Sequence, residues 1–212
     1  MTAPLSTSQL RSAWGPPCTF TKTTFTFWTG VTITVDHRIV GALDALDAIF
    51  RKYGYRPTAP DVGAFVCRKI TGGSGYSLHA YGIAVDINWQ ANPYTTGALV
   101  TDMPRAMVDE IVALRTNSGA PVWGWGGFYR SIKDAMHYEI VCTPAHLATG
   151  VAHQPTTPED IDIMDADTKA YFDAKFITLT AQIAAVEDEL KAQAQRHNAA
   201  ERKRDAAHAA EG

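Results

Sequence analysis

Cysteine is scarce in this chain, and its spacing matches no known cysteine motif. The three cysteines, Cys18, Cys67 and Cys142, lie far apart among 212 residues and form no CxxC pair. An odd number at such spacing argues against a disulfide framework and against a cysteine-rich zinc module. Each cysteine is therefore expected to be a small buried side chain, and any metal would need histidine and carboxylate ligands.

Long apolar runs and an excess of basic charge are also lacking. No segment approaches the ~20 apolar residues of a membrane span. The formal charge of -3 gives no electrostatic signature of binding to nucleic acid or to an anionic membrane. The N-terminal MTAPLSTSQL has neither the basic flank nor the apolar stretch of a signal peptide. The chain is therefore expected to be made and kept in a cytoplasm unless something else releases it.

What the sequence does contain is the pattern of an α+β domain. The hydrophobic fraction of 46% is enough for a real core. Residues 18–35 alternate threonine with aromatic and β-branched residues, which predicts one or two strands. Further short strands are predicted over 61–70, 83–88 and 136–142, and helices over about 38–53 and 106–115. Together these elements predict a compact α+β domain with a small antiparallel sheet over residues 1–148.

The C-terminal part of the chain differs in kind. Residues 149–165 have the prolines and the lack of periodicity that are typical of a linker. In the tail at 166–212, apolar residues recur at alternating intervals of four and three from Phe172 to Leu190, which is a coiled-coil seam. The seam predicts a self-associating stalk, and hence a homo-oligomer formed through residues 172–190. The alternative is one amphipathic helix that folds back on the domain.

The segment DAMHYEI, residues 134–140, places two acidic residues around a histidine. If this segment is a strand, His137 and Glu139 point to one face while the alternate apolar residues point to the other. Asp134 lies three residues before His137. A polar pair on one face and an apolar set on the other is the pattern expected of a strand that borders a site.

A second histidine and acid occur in SGYSLHAYGIAVDIN, residues 74–88. On a strand over 83–88, Asp86 shares a face with the small Ala84, so there is room beside the carboxylate. Gly82 lets the chain bend so that His79 can turn back toward Asp86.

Two histidines and one carboxylate are a sufficient ligand set for a catalytic zinc ion. Such sites use three protein ligands and keep the fourth position for water. The metal lowers the pKa of that water to about 7 and polarises a substrate carbonyl. The chemistry also needs a carboxylate that accepts a proton without binding the metal, and Asp134 and Glu139 both qualify by position.

The two segments together resemble a known family. SxHxxGxAxD, followed later in the chain by WGG and DxxH, resembles the zinc peptidases that cut bacterial cell-wall peptides. These are the D-alanyl-D-alanine carboxypeptidases and dipeptidases and the L-alanyl-D-glutamate endolysins of bacteriophages. The resemblance spans roughly Val35 to Val141, and two separated motifs in the correct order make it specific. It implies the compact α+β fold that the hedgehog signalling domain also has.

The resemblance implies roles for four residues at the centre of the site. His79, Asp86 and His137 match the three zinc ligands of the family. Asp134 matches the acid of its [DE]xxH motif, the general base that activates the water and then protonates the leaving amine.

The resemblance also implies roles around this centre. Arg68 matches an arginine that helps to hold substrate or to stabilise charge on the scissile carbonyl, and Ser77 matches a serine near the substrate or a zinc-binding loop. Glu139 is assigned to orienting a ligand. Trp125 is a candidate substrate contact, because it belongs to a group of aromatic residues that could line a peptide groove. The others in the group are Trp123, Phe128 and Tyr129. Packing of these residues as scaffold is an equal alternative.

These observations predict a zinc metallopeptidase that hydrolyses a peptide bond in peptidoglycan stem peptides, as a bacteriophage endolysin in host lysis. Aspartate in place of the dipeptidases' glutamate favours an endopeptidase that cuts L-Ala-D-Glu or a related bond. The expected partner is peptidoglycan, without nucleic acid or a membrane span. The expected location is the host cytoplasm until a separate pore releases the protein. Three alternatives are a virion tail peptidase anchored by its coiled coil, a D-Ala-D-Ala carboxypeptidase, and a non-catalytic relative that binds a wall fragment.

Overall fold

The computed structural model describes residues 3–70 and 73–152, which belong to the first of two units that divide after Pro155. The α-helices are α1 (Thr7–Ala13), α2 (Val40–Lys52), α3 (Arg105–Ala113) and α4 (Pro144–Leu147), and the 3-10 helices are His37–Ile39, Leu78–Tyr81 and Gly126–Phe128. The strands are β1 (Lys22–Thr26), β2 (Thr32–Asp36), β3 (Val62–Gly63), β4 (Ala84–Ile87), β5 (Tyr94–Thr95), β6 (Arg115–Thr116), β7 (Trp123–Trp125), β8 (Lys133–Asp134), β9 (His137–Ile140) and β10 (Val151–Ala152). None of the described helices has the length and apolar character needed to span a membrane.

The N-terminal half follows the sequence pattern closely. The threonine-rich segment forms an antiparallel hairpin of β1 and β2, which buries Phe25 and Ile33 on one side. Helix α2 follows and buries the apolar positions that recur at helical spacing, including Leu46 and Phe50. It stops before Gly54, whose φ of +64° is a conformation that other residues rarely adopt. The predicted strands and helix in this half are confirmed.

The central sheet has four antiparallel strands in the order β3-β4-β9-β7. Its two middle strands carry the polar residues at 86 and 137 on one face, while Val85 and Tyr138 are fully buried on the other. An α+β fold with small antiparallel sheets is therefore confirmed. The strand predicted over 61–70 is shorter than expected, because the chain leaves β3 and the Phe65 N–H bonds the Thr34 carbonyl instead.

One expectation about cysteine is wrong. Cys18 and Cys67 form a disulfide, with their Cα atoms 5.5 Å apart and a separation of 49 positions in sequence. Only Cys142 is the buried free thiol that was expected. The disulfide joins two loops that the tertiary fold brings together, so no local spacing of the cysteines could indicate it.

The end of the domain also differs from the predicted boundary. Strand β10 pairs with β6, and the Asn117 N–H bonds the Gly150 carbonyl. The first residues of the predicted linker at 149–165 are therefore part of the domain. The rest of that segment and the predicted coiled coil lie outside the described residues, so the domain limits beyond 152 stay a prediction.

Candidate metal centre

Strand pairing between β4 and β9 brings the first two candidate ligands together. Asp86 and His137 are direct partners in the antiparallel register. Their side chains therefore share a face of the sheet, and His137 Nδ1 lies 3.1 Å from Asp86 Oδ1. Glu139, two residues after His137 on β9, pairs with the small Ala84 on β4 and with Gly124 on β7. Small residues at both positions leave space for the Glu139 carboxylate on that face.

A short turn supplies the third candidate ligand. His79 lies in the 3-10 helix Leu78–Tyr81, where the Ser77 hydroxyl accepts a hydrogen bond from the His79 N–H at 3.3 Å. The helix ends at Gly82 with φ +68°, and a Cβ there would lie only 2.7 Å from the Asp36 nitrogen. Only glycine fits this close, left-handed turn. The turn directs the chain into β4, and His79 Nε2 lies 3.3 Å from Asp86 Oδ1.

The spacing of the three side chains fits a metal ion. His79 Nε2 lies 3.1 Å from His137 Nδ1, so the three atoms form a nearly equilateral triangle with Asp86 Oδ1. Ligand atoms that are 2.0–2.1 Å from a tetrahedral zinc ion lie about 3.3 Å from one another. The same three residues form a group whose ligand atoms all lie within 4.8 Å. The triangle therefore has the dimensions of three corners of a zinc tetrahedron.

The outer hydrogen bonds of the two histidines fix which nitrogen faces the triangle. His79 Nδ1 lies 2.6 Å from the Ala64 carbonyl, and His137 Nε2 lies 3.4 Å from Glu139 Oε2. Both partners can only accept, so these outer nitrogens carry the protons. The inner nitrogens then present lone pairs to each other and to a carboxylate oxygen. Three electron-pair donors that converge in this way require a cation between them.

The charges of the residues around the triangle also favour a bound cation. Burial would raise the pKa of Asp86, but the neighbouring imidazoles of His137 and His79 hold it well below its usual range. Burial lowers the pKa of His137, whereas hydrogen bonds to Asp86 and Glu139 raise it, with a net value of about 10. Without a metal, a proton on His137 therefore takes the place of the cation between the carboxylates. The residues thus fit a divalent metal.

Asp134 lies close enough to this centre to interact electrostatically with His137 and Asp86. Its Oδ1 is buried, and it makes no hydrogen bond to any residue that the structure describes. Burial raises the pKa of this carboxyl, while the charge of His137 lowers it and that of Asp86 raises it. The backbone of Gly126 packs so closely that a Cβ there would lie 2.4 Å from the Asp134 carbonyl oxygen. A carboxylate held in place but left unpaired is available to a water molecule or a substrate.

Two predicted substrate contacts, Trp125 and Arg68, have different surroundings. Trp125 is only 4% exposed, and its indole N–H donates to the Ala135 carbonyl at 2.7 Å. It packs in the core, which favours the scaffold alternative, and its contact with substrate stays a prediction. Arg68 is exposed, and its guanidinium contacts the Lys69 carbonyl at 3.5 Å. Its own carbonyl accepts the Ser77 N–H at 3.1 Å, which ties this segment to the turn that carries His79.

Other residues prove closer to the centre than the sequence indicated. The Tyr129 ring lies 6.5 Å from the ring of His137. Burial and the Glu139 carboxylate raise the pKa of Tyr129, so the phenol stays protonated. Ala64 contributes only a backbone carbonyl. Since any residue has one, no sequence signal could have identified it.

Comparison with known proteins agrees with this geometry. Residues 71–140 match the family model described as D-alanyl-D-alanine carboxypeptidase. The matched stretch is about a third of the chain and contains the three candidate ligands and Asp134. No curated protein and no solved structure gives a significant match. The similarity supports a peptidase that acts on peptidoglycan, of a family whose members are typically zinc-dependent.

Proposed function

We propose that this chain is a zinc-dependent peptidase that hydrolyses a peptide bond in peptidoglycan stem peptides. The observation that carries the proposal is the convergence of three lone pairs, from His79, Asp86 and His137, next to the unpaired carboxylate of Asp134. A zinc ion held by the three residues would supply a Lewis acid, which lowers the pKa of a water molecule and polarises the scissile carbonyl.

Asp134 moves the proton in this proposal. It accepts a proton from the attacking water, whose oxygen bonds to the carbonyl carbon, and returns that proton to the leaving nitrogen as the C–N bond breaks. The products are a carboxylic acid and an amine, which exchange a proton to become a carboxylate and an ammonium group, so atoms and charge balance. The burial that raises the pKa of Asp134 supports this role, because a stronger base keeps the proton long enough to deliver it.

Three neighbours hold the ligands in position. Glu139 accepts from His137 Nε2, and the Ala64 carbonyl accepts from His79 Nδ1, so both rings keep their orientation. The Ser77 hydroxyl caps the turn at His79, so its proposed role is to shape the metal-binding loop.

The finer proposal is a bacteriophage endolysin that cuts L-Ala-D-Glu or a related bond. The base Asp134, in place of the glutamate of the dipeptidases, supports an endopeptidase. In this proposal the protein stays in the host cytoplasm until a separate pore releases it. The alternative is a virion tail protein that self-associates through residues 172–190. The description of the matching family favours a second candidate activity, a D-Ala-D-Ala carboxypeptidase.

Mass spectrometry of digested peptidoglycan tests the proposal. Wild-type protein with zinc is expected to release muropeptides with one new amino terminus, and a chelator should stop the release. A new terminal D-glutamate would identify the endopeptidase, and free D-alanine would identify the carboxypeptidase.

The variant that tests the general base is Asp134→Asn, which preserves the shape of the side chain but cannot accept the proton. General-base catalysis is worth about 10²–10⁴-fold, so this variant should lose that much activity while it binds zinc as tightly as wild type. Full activity of the metal-depleted protein or of Asp134→Asn would rule out the mechanism.

A further inference from the structure

An exposed aromatic residue stands directly opposite Asp134. Strands β5 and β8 pair antiparallel, and Tyr94 is the register partner of Asp134. Side chains of directly opposed residues share a face of the ladder, with Cβ atoms about 4.5–5.5 Å apart. The side chains of Tyr94 and Asp134 therefore start side by side on one face of this strand pair. The two residues are 40 positions apart in sequence and meet only through this short strand pair.

Tyr94 is exposed, unlike the aromatic residues that pack beneath the centre. It is 51% exposed and Phe128 is 46% exposed, whereas Trp125 and Tyr138 are buried. No described residue hydrogen-bonds the Tyr94 hydroxyl. Leu99 and Val100, in the loop after β5, are also exposed, so apolar side chains are open to solvent in β5 and in the loop that follows it. Exposed apolar groups beside an unpaired carboxylate are a typical sign of a ligand-binding surface.

The position of Asp134 decides which part of a substrate meets this ring. The group that returns the proton to the leaving nitrogen must lie on the side of that nitrogen. Tyr94, the neighbour of Asp134 on the solvent side, therefore faces the substrate residue that carries the leaving nitrogen. We propose that Tyr94 binds the residue on the leaving side of the scissile bond and selects for an aliphatic side chain there, an inference that rests on the proposed peptidase function.

The chemistry of the ring indicates what it would recognise. A phenol ring offers a flat apolar face, which packs against methyl or methylene groups. D-alanine and D-glutamate both present such groups, and glycine does not. One apolar contact of this kind is worth about 10-fold or more in kcat/KM between two substrates. Tyr94 is therefore expected to favour a leaving residue with a side chain over glycine.

Kinetics with paired substrates test the inference. We would compare wild type, Tyr94→Ala and Tyr94→Phe on a muropeptide with its native leaving residue and on the same peptide with glycine at that position. Tyr94→Ala should lower kcat/KM on the native peptide about tenfold, mainly through KM, and should remove most of the preference over glycine. Tyr94→Phe keeps the ring face and should stay within about twofold of wild type.

Tyr53→Ala is the matched control. It makes the same chemical change at the end of α2, where the hydroxyl bonds Glu110 of α3 at 2.9 Å, and should leave both kinetic constants unchanged. All four proteins should bind zinc equally in a competition assay with a chelating dye. Equal kcat/KM for Tyr94→Ala and wild type, or loss of zinc affinity in Tyr94→Ala, would overturn the inference about Tyr94 and leave the proposed function standing. A wild-type protein that binds zinc but cleaves no muropeptide would overturn the proposed function and the inference with it.

Discussion

Asp86 and His137 are held by the pairing of two strands, whereas His79 is held by a four-residue turn that is braced from outside. The strands fix both ligands through consecutive backbone hydrogen bonds in the middle of a sheet. The turn has no such ladder. The residues that brace it are the Ser77 cap, the Ala64 carbonyl and Cys18, whose N–H bonds the Ala80 carbonyl at 2.6 Å.

The candidate site therefore has one half that is fixed by strand pairing and another half that depends on contacts with distant parts of the chain. We call Asp86, His137 and Glu139 the strand half, and His79 with its turn the loop half. The strand half follows from sheet register, and local changes should leave its backbone intact. The loop half depends on contacts that are distant in sequence, above all the disulfide of Cys18 with Cys67. The predictions below separate the two halves.

Removal of either histidine should have the largest effect. His79→Ala or His137→Ala deletes one of three ligands, so zinc affinity should fall by more than the roughly 10–100-fold that loss of an orienting partner costs. Chelator competition measures this loss, and circular dichroism checks that each variant is folded. A variant of either half that keeps wild-type zinc affinity would exclude that histidine as a ligand.

Loss of the disulfide should affect the loop half more than the strand half. A cross-link over 49 residues stabilises the fold by about 4 kcal/mol in the chain-entropy model, so Cys18→Ser with Cys67→Ser should lower the unfolding free energy by up to that amount. Amide hydrogen exchange should rise further at 79–82 than at 137–140, because both segments lose global stability and only the turn also loses a brace. A phosphine reductant should reproduce the effect in wild type and add nothing to the double variant. Equal changes in both segments would remove the distinction between the halves.

Glu139→Gln tests the strand half through the partner of a ligand. The amide keeps the size of the side chain but loses the charge that holds the proton on His137 Nε2. Zinc affinity should fall about 10–100-fold, with the fold unchanged. Glu110→Gln, at a half-buried position of α3 that pairs with Lys52, is the matched control and should bind zinc as wild type does. Wild-type affinity in Glu139→Gln would show that the carboxylate does not orient the ligand.

Ser77→Ala should have the smallest effect. It removes the hydroxyl that accepts the His79 N–H, and loss of a helix cap costs about 1 kcal/mol. Thermal unfolding measures the cost, and Ser77→Thr should restore most of the stability because it keeps the hydroxyl. An unchanged melting temperature in Ser77→Ala would mean that the cap does not support the turn.

The same division explains what the sequence could predict. Alternation of apolar and polar residues predicts both central strands and places His137 and Glu139 on one face, as the structure confirms. The Cys18–Cys67 disulfide had no comparable signal, because its partners lie in loops far apart in sequence. Trp125 had an ambiguous signal, since a tryptophan in a glycine-rich segment suits a groove or a core equally; its hydrogen bond to the Ala135 carbonyl favours the core, and its contact with substrate stays a prediction.

Short elements were the hardest to predict. Tyr94 lies in a strand of two residues, which is too short to show a period, and its place beside Asp134 arises from pairing across the fold. The Gly82 turn was predictable, because a glycine between a histidine and a strand indicated the bend that the structure shows. The predicted coiled coil at 172–190 lies outside the described residues and stays a prediction.

Anomalous diffraction at the zinc edge, from crystals of the zinc-loaded protein, tests the central claim most directly. The account predicts one strong peak about 2.0–2.2 Å from each of His79 Nε2, Asp86 Oδ1 and His137 Nδ1. The choice of Nδ1 on His137 is specific, because Nε2 of that ring is occupied by Glu139. No peak at this triangle, or a peak bound to His137 Nε2 and Glu139, would contradict the account.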